Sequence, residues 1–234
     1  MEQTLIILAD TPATNDGDIM AKLRAAGLLD ILTEANRLAE LNPEMDVVVY
    51  HDSDNNDDFL NAFYAALDNV NLTISRHLRK YFDNKLILKT KPNLAEPQLI
   101  YTVLHDELNK EDVEKAVLIN CNCPMLLGEL IDDAFFYIDH FHLVLGGVKG
   151  DGIYLIATDE APGKLLEAVE WNTENLHKQL AAKAEAMGLA VRKLDILHPI
   201  RTAEDMEDVY PKLLENGTAP HTCQVWQSCG GGEK

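Results

Sequence analysis

Seven short runs rich in Val, Ile, Leu and Thr alternate with longer stretches of helical periodicity along this chain of 234 residues. The strand candidates fall at 4–9, 46–51, 85–90, 116–120, 142–147, 152–158 and 191–198. Between and after them, helical stretches run at about 18–41, 57–82, 96–108, 127–137, 171–187 and 202–215. Alternation at this spacing predicts βαβ units and a mostly parallel sheet flanked by helices, an α/β fold. Two of the runs, "TLIILA" and "AVLIN", are apolar at nearly every position. A strand with one wet face would alternate, so these two are expected to be covered on both faces. In open sheets of this kind ligands bind beyond the carboxyl ends of the strands. The residues just after "TLIILA" and "AVLIN" are therefore the first places to look for a site.

No repeat and no long linker breaks the pattern, so one domain is expected over 1–216. The remainder, "GTAPHTCQVWQSCGGGEK" at 217–234, reads as a C-terminal tail, ordered at best around Val225 and Trp226. No uninterrupted apolar run reaches the roughly 18 residues that a membrane span needs. The opening "MEQTLIILAD" has neither the basic start nor the apolar length of a signal peptide, which points to a cytoplasmic chain. Lys and Arg number 20 against 39 Asp and Glu, for a formal net charge of −19. Such a surface repels phosphate backbones and argues against nucleic-acid binding, while leaving room for a local basic pocket that takes one phosphorylated small molecule.

The stretch "AVLINCNCPMLLG" ends a buried strand in a loop with two thiols and two amides. A structural zinc needs about four ligands, so Cys121 and Cys123 would have to recruit Cys223, Cys229, His198 or His221 from distant segments. A redox dithiol ordinarily has two residues between its cysteines, and here there is one. Two small thiols packed at a strand end are the simpler account. Further on, "LVLGGVKGDGIYLIAT" embeds Asp151 among glycines at 146, 147, 150 and 152 before a strand carrying Tyr154. Then comes "WNTENL" with Asn172 or Thr173 as a helix cap. In "HPIRTAEDMEDV", Thr202 is placed as N-cap and Asp205 at the third helical position, a capping-box-like start.

In this order the pieces resemble a family of bacterial GT-A-type glycosyltransferase-like proteins, some of them linked to arsenosugar biosynthesis. That family's pattern runs approximately Gly-Ser-Asp-Cys-Pro-x-Leu, Gly-Pro-Ala-x-Asp-Gly-Gly-Tyr-x-Leu, Trp-Ser-Thr and Asp-Val-Asp-Thr-x-Glu-Asp-Leu. Here the same places read "NCNCPML", "GVKGDGIYL", "WNT" and "PIRTAEDM". Cys123-Pro124, Asp151-Gly152, Tyr154, Trp171, Thr173, Thr202 and Glu204-Asp205 match in order over about residues 4–215. The resemblance implies a GT-A-like, nucleotide-diphospho-sugar transferase fold and a nucleotide-sugar partner. It implies Mg²⁺ or Mn²⁺ as cofactor if the family mechanism is kept. The residues it would carry over as nucleotide-sugar-binding are Pro12, Lys22, Arg24, Gln98, Asn122, Gly152, Tyr154, Trp171 and Arg201, with Asp151 catalytic.

The departures fall on the chemistry. The family's Asp in Ser-Asp-Cys-Pro becomes Asn122, and the two acids of Asp-Val-Asp become Pro199 and Arg201. Hard cations prefer carboxylate oxygens; an amide is a neutral donor, proline's side chain has no donor, and arginine repels a cation. Arg201 is instead suited to a phosphate. Asn122 and Asp10, the acid after the first strand, are the metal ligands left to consider. Lys22 and Arg24 survive from a phosphate-facing loop, but Asp10, Asp16 and Asp18 crowd it. Gln98 stands where the family has a Gln- and Gly-rich loop. The expected function is a glycosyltransferase-like protein whose metal-dependent catalysis is lost or altered, kept as a binding or partner-interaction module. The alternative is an active glycosyltransferase that passes a sugar to a small acceptor, with Lys22, Arg24 or Arg201 offsetting the leaving-group charge.

Overall fold

All seven strand candidates form strands in a computed structural model that describes residues 2–12, 18–126, 128–150, 152–167, 169 and 176–232. They are β1 (Glu2–Leu8), β2 (Met45–His51), β3 (Ile87–Thr90), β4 (Val113–Asn120), β5 (Leu143–Gly147), β6 (Ile153–Thr158) and β7 (Val191–Lys193). One sheet takes them in the order β3-β2-β1-β4-β6-β5-β7. Every pairing is parallel except those of β6, which runs antiparallel to β4 and β5. Because β6 is reversed, its start lies at the edge where β1 and β4 end. Register brings Leu8 beside both Tyr50 and Asn120 at that edge.

The helices are α1 (Ile19–Leu41), α2 (Asn56–Asp68), α3 (Arg76–Asn84), α4 (Glu96–Leu108), α5 (Gly128–Ile138), α6 (Gly163–Glu167), α7 (Leu176–Ala186), α8 (Ala203–Asn216) and α9 (Pro220–Ser228). They cover the sheet on both sides. Leu5 and Ile7 of β1 join a core with α1, α2, α3, α5, α8 and α9, whereas Ile6 and Leu8 join one with α4, α6 and α7. Successive strand residues face opposite ways, so a strand buried on both faces is apolar at nearly every position, Thr4 excepted. That is why "TLIILA" reads as it does.

Two expectations change. The helical stretch at 57–82 is two helices, because Asn71 sits at φ 54 after α2 and Ser75 starts α3 by accepting from the Leu78 N–H. A left-handed residue cannot continue a right-handed helix, and asparagine tolerates that conformation better than most. The stretch read as a tail contains α9, which puts Cys223, Val225 and Trp226 into the same core as α1. Its anchor is Asp30, a buried carboxylate in the middle of α1. The backbone N–H groups of His221 and Thr222 donate to it at 3.0 and 2.9 Å, and the Thr222 hydroxyl donates at 2.7 Å. His221 Nδ1 lies 2.7 Å from the same carboxylate. A helix start has unpaired N–H groups and the positive end of a dipole, and Asp30 answers both from another helix. No local signal at 217–234 shows this, since the partner lies about 190 residues away in sequence.

Replacing Asp30 leaves those donors buried without an acceptor. Asp30→Ala is expected to lower unfolding free energy by about 3 kcal/mol in urea denaturation. A loss below about 1 kcal/mol would mean that α9 is held by its apolar face alone.

Candidate functional site

The carboxyl edge of the sheet carries an ordered set of charges. Asp10, just past β1, is paired with Lys91, just past β3, at 2.8 Å. The Lys91 stem is largely buried and its partner is exposed. Next to them Thr11 donates its backbone N–H at 2.6 Å, and its hydroxyl, to Asp52 beyond β2. Burial works against the charge on Asp52, but the Thr11 hydrogen bonds, helped by Lys91, hold its carboxyl below the usual range.

The loop after β4 divides two cavities. On one side lies a cleft of about 540 Å³, open mouth included, lined by Asn120, Asn122, Cys123, Gly152, Tyr154 and Arg201 together with Glu96 at the start of α4. On the other side a smaller space lies between Asn122, Cys121 and the first turns of α1, including Arg24. Asn122 borders both, and its backbone carbonyl accepts from the Ile200 N–H at 2.8 Å. That bond ties the β4 loop to the segment carrying Arg201. Arg201 is in turn set by the capping box of α8. Thr202 accepts from the Asp205 N–H at 3.1 Å, and Asp205 accepts from the backbone N–H groups of Thr202 at 2.9 Å and Arg201 at 3.0 Å. The Arg201 guanidinium runs alongside Gly150 and Gly152, with its nitrogens 3.7 and 3.8 Å from where a Cβ on each would stand. Both glycines have positive φ, 91° and 110°, which only glycine adopts readily.

Of the residues proposed from sequence, Asn122, Gly152, Tyr154 and Arg201 come together in the cleft. Tyr154 is also a core residue. Its ring fills the space above Gly146, its hydroxyl donates to the Asp195 carbonyl at 3.1 Å, and burial raises its phenol. Arg24 reaches the far side of the Asn122 loop, and its Nε also donates to the Met20 carbonyl at 3.2 Å. Lys22 is half-buried on α1 and Pro12 is buried after β1; neither lines the cleft. Gln98 is exposed on α4 and stays outside it, while Glu96, two residues earlier, is inside. Asp151 and Trp171, with Thr173, lie outside the described residues. Asn120 was noted only as one of the two amides ending β4, and Lys91 and Glu96 went unmarked in the sequence. The rule that picked out the ends of β1 and β4 applies equally to β3 and to the helix start behind it, and would have found both.

Among the described residues, the donors around the cleft fit a divalent cation poorly. The cleft offers one carboxylate, Glu96, beside the neutral amides of Asn120 and Asn122, while Pro199 offers no donor, Arg201 brings a positive charge, and Asp10 is engaged with Lys91. Among the described residues no group of three His, Cys, Asp or Glu is placed to hold a metal. The "NCNC" thiols are packing groups here. Burial pushes both Cys121 and Cys123 up to about 12, and Cys223 up to about 11. No described helix is long and apolar enough to cross a membrane.

No protein-family model matches the chain, and no curated protein matches it in sequence. Solved structures do match. A protein from Desulfovibrio desulfuricans G20 assigned as a nucleotide-diphospho-sugar transferase superimposes with a TM-score of 0.77 at 15% identity, over 98% of this chain and 96% of that one. The 4-diphosphocytidyl-2C-methyl-D-erythritol synthase of Anaerococcus prevotii DSM 20548 gives 0.56 at 13% identity, over 91% of this chain and 96% of that one. A CMP:2-keto-3-deoxy-manno-octonic acid synthetase complexed with CTP gives 0.50 at 10% identity, over 92% and 100%. At these identities the likeness is one of fold. The fold is GT-A-like, that of nucleotide-diphospho-sugar transferases.

A thiol whose pKa is raised reacts only as pH climbs towards that value, since the thiolate is the nucleophile. At pH 8 the native chain is expected to show one fast thiol towards a disulfide reagent, the exposed Cys229, and all four once denatured. Fast native labelling of Cys121 would contradict this assignment.

Proposed function

We propose that this chain binds a nucleotide sugar in the cleft between Asn122 and Arg201 without help from a divalent cation, and that the metal-dependent transfer implied by the family it resembles is lost or altered in it. One observation carries this: the Arg201 guanidinium lines the same cleft as Asn122, at a place where the resembling family has an acid. A guanidinium meets a phosphoryl group directly through charge-assisted hydrogen bonds, where a carboxylate would need a bridging metal. The fold supports the ligand class, because structures sharing it include an assigned nucleotide-diphospho-sugar transferase and a synthetase complexed with CTP. Pro12, Lys22, Arg24, Gly152, Tyr154 and Trp171 belong to this proposal as the nucleotide-sugar surface, with Gln98 at its margin. So do the finer likeness to the arsenosugar-linked relatives, a single folded unit and a cytoplasmic location. An active transferase is favoured by the same guanidinium, which would stabilise the departing diphosphate while Asp151 oriented the acceptor.

Thermal unfolding with UDP-, dTDP- and GDP-sugars, in EDTA and in Mn²⁺, tests the proposal. Ligand at about 100 times its Kd adds about 2.7 kcal/mol, a Tm rise of about 5–10 °C for a chain of this size. The rise is expected in EDTA and is expected to vanish in Arg201→Glu. Stabilisation that needs Mn²⁺, or none with any donor, would overturn it. Release of free nucleotide in EDTA by the wild type but not by Asp151→Asn would establish the active form.

A further inference from the structure

The cleft holds more than a phosphate contact. Glu96 enters it from the first turn of α4, and Asn120 enters from the last residue of β4, beside Asn122. Helix α4 packs on one face of the sheet and α8, behind Arg201, on the other. Glu96 and Arg201 thus reach the cleft from opposite faces, so its two walls carry opposite charge. Val148, Ile153 and Leu176 supply apolar surface between them.

Each chemical group in that lining selects a partner. Phosphoryl oxygens only accept hydrogen bonds and carry charge, so they belong with Arg201 and away from a carboxylate. A sugar hydroxyl both donates and accepts. A carboxylate accepts from two such donors, and a primary amide donates and accepts at once. One carboxylate beside two amides matches neighbouring hydroxyls on a ring, and an apolar wall suits the ring's C–H face. From this we infer that Glu96, Asn120 and Asn122 form a hydroxyl-reading subsite for the sugar half of the ligand, an inference that rests on the nucleotide-sugar function proposed above. Asn122 then does polar recognition in place of metal ligation. Glu96 also suits the dipole of α4, whose N-cap, Ala95, makes no side-chain hydrogen bond. The test must therefore read the sugar's share of binding rather than stability.

Calorimetry in EDTA compares free UDP, dTDP and GDP with their hexose conjugates on the wild type, Glu96→Gln, Asn120→Ala and Arg201→Ala. The wild type is expected to bind the preferred conjugate about 10-fold or more tighter than the free diphosphate. Glu96→Gln and Asn120→Ala are each expected to weaken the conjugate about 10-fold without weakening the diphosphate, while Arg201→Ala weakens both. Glu96 is exposed and its replacement isosteric, so the variant keeps the fold. If the wild type gains nothing from the sugar, or if Glu96→Gln leaves the ratio of the two affinities unchanged, the subsite is wrong although nucleotide binding stands. A wild type that binds neither diphosphate nor conjugate overturns the nucleotide-sugar function and this inference with it.

Discussion

Asp205 closes the capping box of α8 and, with the same carboxylate oxygen, takes the backbone N–H of Arg201. Burial raises and these hydrogen bonds lower its pKa, and the net effect keeps the carboxyl below its ordinary range. It therefore stays ionised through neutral pH, and the helix start it secures is fixed. The guanidinium of Arg201 is consequently delivered to the cleft from a rigid element, alongside Gly150 and Gly152. Everything proposed about the site depends on that placement. A cation there disfavours a second one at close range.

The loop after β4 answers to the same placement. Its conformation is shared with the Arg201 segment through the bond from Ile200 to Asn122, and Asn122 shares its second cavity with Thr222 of α9. Asp30 holds Thr222, so a carboxylate inside α1 fixes the α9 wall of that second cavity. On the other flank Lys91 occupies Asp10 and helps keep Asp52 charged, which leaves neither acid turned to metal binding. At that flank Asp10 is matched by Lys91 and Asp52 by Thr11.

Most of the architecture was legible in the sequence because burial on both faces forces unbroken apolar strands, and such runs have few other homes. β1 and β4 are the clearest cases. The break between α2 and α3 was hidden because Asn71 and Ser75 sit inside a stretch whose apolar spacing continues across them. α9 was hidden because its stabilising partner is Asp30, far away in sequence. At the site, Asn122 and Arg201 were legible through the family pattern they depart from, and the structure brings them into one cleft. Glu96 was not, because a glutamate opening a helix looks like an ordinary dipole partner until the fold shows where that helix begins.

The central claim is that charge at positions 122 and 201 decides whether this cleft takes a metal. Manganese titrated into the wild type and into an Asn122→Asp, Arg201→Asp double variant, each with a nucleoside diphosphate present and followed by water-proton relaxation, tests it most directly. The account predicts no bound manganese in the wild type beyond that carried by the free nucleotide, and a stoichiometric site in the double variant. A stoichiometric manganese site in the wild type would contradict it.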